Sequence, residues 1–336
     1  MYKDQKSIDL LKKIKQENFA LFRGVAAYLN EFPCLINKEI MDEIVEGVSE
    51  NEELSFALFL ATALSGDDDE AKLFEREYLK KSVKKLDAGE YRENPYFKNI
   101  VIPNKKVSTW ELGYQAYQPY EGFIYDDIDV LDDYREIPKV GFFSEKFSFP
   151  TVFEDGVEWM AIKPNEIETM KPHIEKMSGD VCVFGLGIGY FAYMVSEKSD
   201  VTSVTIVERD SSVINLFEKY ILPQFSRKDK IKIIKSDAFD FAKKKMPDLK
   251  FDCAFVDLWH DVSDGVELYI KMKKLEDKNP NTKFSYWIEK SILSNIRWHI
   301  FDGIEKRIES GDFVEPFENV KKYISDDYLK NFVKFL

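Results

Sequence analysis

The chain is poor in the side chains that build metal and disulfide sites. Its 336 residues include three cysteines and three histidines. Cys34, Cys182 and Cys253 are scattered and odd in number, and two of them lie in apolar segments, where a free thiol behaves as a small hydrophobe. This usage is typical of a reducing compartment, and the missing His/Cys cluster argues against a bound metal. We therefore expect a cytoplasmic protein that needs no metal.

Long apolar runs and an excess of positive charge are also missing. The longest apolar run, near Phe56–Leu64, is far shorter than the ~20 residues that a membrane-spanning helix needs. The first residues, MYKDQKSIDLLKK, lack the apolar core of a signal peptide. With 48 Lys and Arg against 61 Asp and Glu, the net charge of −13 makes sequence-independent nucleic-acid binding unfavourable, although a local basic groove stays open. The sequence therefore predicts neither a membrane nor a nucleic acid as partner.

The chain is long enough for more than one unit, and its apolar pattern changes twice. Residues 1–93 have apolar side chains at helical spacing and predict a helical N-terminal domain, in which Gly66 to Asp69 break one helix and cap the next. Residues 94–165 predict a β-rich connector, with a hairpin over Phe149–Ile162 that turns at Asp155-Gly156. The Tyr- and Asp-rich stretch YQAYQPYEGFIYDDIDVLDDY before it favours an irregular packed segment over an active-site lid.

Residues 166–336 alternate strand and helix patterns, which is typical of a parallel sheet with helices on both faces. We expect an α/β, Rossmann-like domain here, with a helix over Ser291–Glu309. No convincing strand hairpin is found in residues 312–336. The predicted strands are Val181–Phe184, Ser203–Val207, Ile231–Lys235, Phe251–Val256 and Phe284–Ile288.

A glycine turn between the first of these strands and its helix predicts a nucleoside site. Gly185, Gly187 and Gly189 let a ligand approach the backbone, and Glu208 ends the next strand at the spacing of an acidic residue that binds ribose. A dinucleotide motif would have a small residue where this chain has Tyr190. Two further strands end in carboxylates. These are Asp237, which follows Ser236, and Asp257.

With these motifs, residues 179–290 resemble the class I, Rossmann-like methyltransferases that use S-adenosyl-L-methionine. The resemblance implies that the three glycines form the donor loop, that Glu208 binds ribose, and that Asp237 and Ala238 meet the adenine. Tyr190 and Arg209, beside the loop and the ribose carboxylate, join the cofactor-binding candidates. The family usually has an acidic residue two positions before the first glycine, where this chain has Val183.

The segment DLWHD, after the fourth predicted strand, supplies the candidates for chemistry. Asp257, His260 and Asp261 are the predicted catalytic residues, and Trp259 and Asp257 are predicted to contact the cofactor. The segment resembles a loop of catechol O-methyltransferase-type enzymes, which implies Asp257 and Glu289 as metal ligands and His260 at the base position. Lys290 stands where that family has a neutral ligand, and its cation opposes a metal ion.

The chain also resembles the spermidine synthase group, in which a hairpin with an Asp-Gly turn precedes the glycine loop and SVTIVERDSSVI has a counterpart. Trp159 replaces the Gln expected after that turn, and DLWHDV does not match the catalytic DSSDP-type loop. The sequence favours methyl transfer to a small-molecule or protein acceptor. Aminopropyl transfer and non-catalytic nucleoside binding are the alternatives, and the sequence makes no prediction of the oligomeric state.

Overall fold

The structure is a computed structural model that describes residues 5–47, 51–107 and 109–310. These residues fall into two units. One contains the described residues of 5–98 and 104–168, and the other contains residues 99–103 and 169–310. The predicted divisions after residues 93 and 165 stay predictions.

Helices form the first part of the chain, as its apolar spacing predicts. Helix α1 (Gln5–Glu31) buries Ile14, Leu21 and Val25 on one face. Asp67 caps the N-terminus of the helix Asp68–Phe74, because its carboxylate accepts hydrogen bonds from the backbone N–H groups of Asp69 and Glu70. The other helices are α2 (Lys38–Gly47), α3 (Glu52–Leu64), α4 (Asp68–Phe74), α5 (Lys80–Ser82), α6 (Ala88–Arg92) and α7 (Pro95–Asn99). A π-helical turn (Glu75–Leu79) joins α4 to α5.

Two small sheets complete this unit, in the strand orders β1-β5-β4 and β2-β3-β6-β7. Their strands are β1 (Lys84–Leu86), β2 (Lys105–Val107), β3 (Trp110–Tyr117), β4 (Phe123–Val130), β5 (Glu136–Phe143), β6 (Phe147–Glu154) and β7 (Val157–Ala161). The hairpin of β6 and β7 is confirmed. Asp155 and Gly156 have φ angles of 48° and 82°, and two positive φ values are typical of a tight hairpin turn.

The prediction of an irregular segment for YQAYQPYEGFIYDDIDVLDDY is wrong, because most of it forms β3 and β4. The aromatic side chains explain this result. Tyr117 of β3 stacks on Phe123 of β4, a strand of the other small sheet, with ring centroids 4.2 Å apart, and such aromatic contacts stabilise the packing between elements. The pairing of β4 with β5 shifts register on both sides of Asp126. The Asp-rich sequence therefore marks irregularities within a strand.

Helices and strands of this unit share one hydrophobic core. Phe56 of α3 stacks on Phe142 of β5, with ring centroids 4.4 Å apart. Leu21, Leu60 and Val140 belong to the same buried cluster. Burial of such aromatic and aliphatic area is the main force that stabilises a unit of this kind.

The second unit contains a five-stranded parallel sheet of order β10-β9-β8-β11-β12, which confirms the predicted Rossmann-like sheet. Its elements are α8 (Pro164–Lys176), of which the residues up to Glu168 belong to the first unit, β8 (Gly179–Phe184), α9 (Tyr190–Ser196), β9 (Val201–Glu208), α10 (Ser211–Tyr220), two 3₁₀ turns (Leu222–Gln224 and Lys228–Lys230), β10 (Ile231–Lys235), α11 (Ala238–Lys244), α12 (Met246–Leu249), β11 (Cys253–Val256), α13 (Val262–Glu276), β12 (Lys283–Tyr286) and α14 (Glu289–Ser310). Residues 312–336, in which the sequence shows no convincing strand hairpin, lie outside the described residues.

The last strand is shorter than predicted. It ends at Tyr286, and Ile288, expected to close it, has a φ of 44°. A β-branched residue in this region interrupts an extended strand. Glu289 directly follows the predicted strand Phe284–Ile288. In the structure it is the first residue of α14.

Among the described helices, none has both the length and the apolar character required to cross a bilayer.

Candidate active site at the carboxyl edge of the parallel sheet

The strands of the parallel sheet end together, and their last residues form one continuous edge. Backbone hydrogen bonds of 3.0 Å continue the pairing past the strand ends, from Gly185 N to Val207 O, from Asp257 N to Phe184 O and from Trp287 N to Val256 O. Glu208, Gly185 and Asp257 are therefore neighbours. Because β8 has β9 and β10 on one side and β11 and β12 on the other, Gly185 and Asp257 flank the point where the strand order reverses. Open α/β sheets bind their ligands at this point.

All three glycines of the turn have positive φ, between 52° and 96°. A Cβ on Gly185 would lie 2.0 Å from the carbonyl oxygen of Asp257, and one on Gly189 would lie 2.3 Å from the ring of Phe217. Two of the glycines are thus required by the protein's own packing. Tyr190, one of the cofactor-binding candidates, is only 2% exposed and begins α9.

Glu208 holds the glycine loop in place. Its Oε2 accepts a hydrogen bond from Leu186 N at 3.2 Å, and its Oε1 accepts one from Asp210 N at 2.8 Å. Each oxygen of this half-buried carboxylate keeps a second lone pair as an acceptor for a further donor. Arg209, the next residue, is exposed.

The predicted adenine residues follow the neighbouring strand. Ser236 N donates to Glu208 O at 3.0 Å, which holds the end of β10 beside the end of β9. Asp237 caps the N-terminus of α11, and its exposed carboxylate accepts a hydrogen bond from Asp240 N at 2.9 Å through one oxygen. Ala238 is buried at the start of this helix. The second oxygen of Asp237 leaves an acceptor for an exocyclic amine.

Asp257 is the most perturbed carboxyl group at this edge. Burial raises its pKa to about 7, because removal from water disfavours the charged form. Within the described residues, its backbone N–H is hydrogen-bonded to Phe184, whereas no hydrogen bond reaches its carboxyl oxygens. A carboxyl group that titrates near neutrality suits proton transfer.

The rest of the loop after Asp257 has structural contacts. Trp259 is 5% exposed and lies against Gly265, with its ring nearly parallel to that of Tyr286 at 6.5 Å. Asp261 caps α13 by accepting a hydrogen bond from Ser263 N, and hydrogen bonding to Ser263 lowers the pKa of Asp261. These contacts give Trp259 and Asp261 roles in packing and capping.

His260, the predicted base, is exposed, and its backbone N–H donates to Asp264 at 3.1 Å. Asp264 was not among the sequence candidates. The spacing of Asp261 and Asp264 is that of a capping box, and this signal was available in the sequence.

The residues weighed as metal ligands do not form a cluster. Glu289 accepts a hydrogen bond from the Tyr269 hydroxyl at 2.7 Å. Across the described parts of the chain, no group of three or more His, Cys, Asp or Glu side chains is arranged to hold a metal ion. Val183, which replaces the usual acidic residue, is 3% exposed within β8.

The chain is similar to a known domain over part of its length. The family model of the spermine/spermidine synthase domain matches residues 166–273, which is less than half of the chain. This match and the sheet order agree on a Rossmann-like fold. No curated protein matches the chain.

Three solved structures illustrate the similarity. Spermidine synthase from Thermotoga maritima is 16% identical, with 42% of this chain and 52% of that chain covered and a TM-score of 0.31. A spermidine synthase in complex with the transition state analogue AdoDATO is 17% identical, with coverages of 42% and 54% and a TM-score of 0.33. Precorrin 8w decarboxylase from Methanobacterium thermoautotrophicum is 23% identical, with coverages of 34% and 56% and a TM-score of 0.26. The chain thus spans about half the length of these three structures.

Proposed function

We propose that the protein transfers an aminopropyl group from decarboxylated S-adenosylmethionine to an amine. The observation that carries this proposal is the row of Glu208, Gly185 and Asp257 at the switch point of the sheet. The match of residues 166–273 to the spermine/spermidine synthase domain supports it, because that segment contains all three residues. Methyl transfer, favoured by the sequence motifs, becomes the second candidate.

Donor binding is assigned to the half of the edge formed by β8, β9 and β10. Glu208 binds the ribose hydroxyls through the free lone pairs of its carboxylate. Asp237 accepts a hydrogen bond from the adenine amino group, with Ala238 beside it. The positive φ values of the glycine loop keep its backbone within reach of the nucleoside.

Asp257 is the proton acceptor in this proposal. The acceptor amine attacks the propyl carbon that is bonded to sulfur, the carbon–sulfur bond breaks, and its electron pair returns to sulfur to leave 5′-methylthioadenosine. Because the acceptor amine enters as an ammonium at neutral pH, the Asp257 carboxylate takes one of its protons to free the attacking lone pair, and the product leaves as a secondary ammonium. A carboxyl group with a pKa of about 7 is partly ionised at neutral pH, and its ionised form is a stronger base than an ordinary carboxylate, which favours this proton transfer.

Product analysis tests the proposal. The protein is incubated with decarboxylated S-adenosylmethionine or with S-adenosylmethionine, each with a panel of diamines and polyamines, and the nucleoside product is identified by mass spectrometry. We expect 5′-methylthioadenosine from the decarboxylated donor only when an amine is present, and about 10²- to 10⁴-fold less with Asp257→Asn. If no amine yields it above the level without protein, the proposal is wrong.

Methyl transfer remains a candidate because of the loop after Asp257. DLWHDV departs from the DSSDP type, and Asp261 is engaged in capping α13. Trp159 also stands where the spermidine synthase pattern has Gln. The same assay separates the candidates, since methyl transfer from S-adenosylmethionine releases S-adenosylhomocysteine. Nucleoside binding without either product would favour a regulatory protein.

A further inference from the structure

The short loop that carries Asp257 is fixed at both of its ends. At its start, Asp257 N donates to Phe184 O at 3.0 Å, and the Asp257 carbonyl group packs against Gly185. At its end, the Asp264 carboxylate accepts hydrogen bonds from His260 N and Asp261 N, both at 3.1 Å. The second oxygen of Asp264 lies 3.3 Å from His260 N.

The middle of the loop is held by packing. Trp259 is 5% exposed, and its Cδ1 and Cγ atoms lie 3.1 Å from the position that a Cβ on Gly265 would take. Gly265 follows Asp264 in the first turns of α13. One segment of this helix thus fixes both the end of the loop and its buried indole.

We propose that Asp264 is a positioning residue, which holds His260 and Asp261 by their backbone N–H groups and so keeps Asp257 in the orientation needed for transfer. This inference rests on the proposed function. Asp264 contacts the end of the loop, at His260 and Asp261, and not Asp257 itself. Its effect on Asp257 therefore passes through the loop backbone. Two N–H groups bound to one carboxylate form charge-assisted hydrogen bonds, which restrict the backbone more than neutral ones.

Three variants separate positioning from general stability. Asp264→Ala removes both hydrogen bonds, whereas Asp264→Asn keeps a carbonyl oxygen for the same two N–H groups. Gly265→Ala leaves Asp264 in place but forces Trp259 to move by a few tenths of an ångström. The control is Asp67→Ala, because Asp67 also accepts two backbone N–H groups at a helix start, in the other unit.

Steady-state kinetics with the decarboxylated donor and an amine give the first readout. Asp264→Ala should lower kcat by roughly 10- to 100-fold and leave the KM of the donor within about twofold, because misplacement of a reacting group affects the chemical step. Asp264→Asn should recover most of the lost kcat, Gly265→Ala should lower it, and Asp67→Ala should leave it unchanged. Equal kcat values for Asp264→Ala and Asp67→Ala would overturn the inference.

Amide hydrogen exchange gives a second readout that does not need turnover. In Asp264→Ala, the peptide that contains His260 and Asp261 should exchange faster than in the wild type, and Asp264→Asn should restore protection. Unchanged exchange in Asp264→Ala would refute the positioning role even if transfer were observed. Faster exchange in a protein that yields no nucleoside product would refute the proposed function and, with it, the catalytic part of this inference.

Discussion

The two halves of the sheet edge differ in how their polar side chains are used. On the side of β9 and β10, Glu208 and Asp237 hold the glycine loop and a helix start, and each retains lone pairs that face no described donor. On the side of β11 and α14, Asp261 caps a helix and Glu289 accepts a hydrogen bond from Tyr269. Among the described carboxyl groups at this edge, the half-buried Asp257, directly after β11, has a raised pKa. The two halves therefore differ in how many acceptor sites their carboxylates leave for a ligand, and not in whether a carboxylate follows each strand.

The largest expected effect concerns Asp257, the proposed proton acceptor in the half of the edge formed by β11 and α14. Asp257→Asn should lower kcat by about 10²- to 10⁴-fold, because the amide cannot accept the proton of the amine. Its affinity for 5′-methylthioadenosine should stay close to that of the wild type. Turnover by Asp257→Asn within a few-fold of the wild type would remove the distinction between the two halves.

Gly185 joins the halves, so a side chain there should damage both. Gly185→Ala places a Cβ 2.0 Å from the carbonyl oxygen of Asp257 at a φ of 96°, and we expect a loss of about 3–5 kcal/mol in the free energy of unfolding. Gly156→Ala is the matched control, since Gly156 has a φ of 82° with no atom within 4 Å of the new Cβ. It should cost about 1–2 kcal/mol. Chemical denaturation measures the free energy of unfolding of both variants. Equal losses would show that the clash between the new Cβ and the Asp257 carbonyl oxygen is unimportant.

The donor half is tested by its affinity for a nucleoside. Glu208→Ala should weaken the binding of 5′-methylthioadenosine by about 2 kcal/mol, since two charge-assisted hydrogen bonds are lost. Glu208→Gln, which keeps one acceptor oxygen, should lose less. Isothermal titration calorimetry compares the variants at one pH. A Glu208→Ala protein that bound as tightly as the wild type would place the ribose elsewhere.

Burial of Asp257 also predicts a pH-dependent stability. The folded state holds this proton up to about pH 7, whereas the unfolded chain releases it near pH 4. Stability should therefore fall as the pH rises between these values, because the buried charge is unfavourable. Asp257→Asn should be more stable than the wild type by at least about 1 kcal/mol at pH 8, and the difference should vanish near pH 4. Thermal denaturation at several pH values checks this, and a difference that does not change with pH would contradict the burial.

The smallest expected effect concerns metal ions. Because Lys290 opposes a cation and Glu289 is engaged by Tyr269, a chelator should leave turnover unchanged. The measurement is the transfer rate before and after dialysis against EDTA. If EDTA abolished the activity and added magnesium restored it, this prediction would be wrong, and Asp257 would be assigned as a metal ligand.

The sequence predicted the elements that depend on local pattern. Apolar runs located the five parallel strands, and Asp155-Gly156 located the hairpin turn. Features that depend on distant partners were not predicted. Phe19, one of the apolar residues at helical spacing in residues 1–93, is 68% exposed, whereas Asn18 is buried and accepts a hydrogen bond from the Tyr78 hydroxyl, 60 residues away.

In the candidate site, too, the sequence predicted what depends on local pattern and not what depends on distant partners. Parallel pairing places strand ends side by side, so the proximity of Glu208 and Asp257 follows from the predicted topology. Burial of Trp259 depends on its contact with Gly265 and on Tyr286 of another strand. Such contacts arise only once the helices have packed on the sheet, and a sequence pattern does not determine them.

Titration of 5′-methylthioadenosine into the wild type, Glu208→Ala and Asp257→Asn tests most directly the central claim that the two halves of the edge divide binding and chemistry. We expect saturable binding to the wild type, binding weakened by about 2 kcal/mol in Glu208→Ala, and unchanged binding in Asp257→Asn. No binding to the wild type, or a larger loss in Asp257→Asn than in Glu208→Ala, would contradict the account.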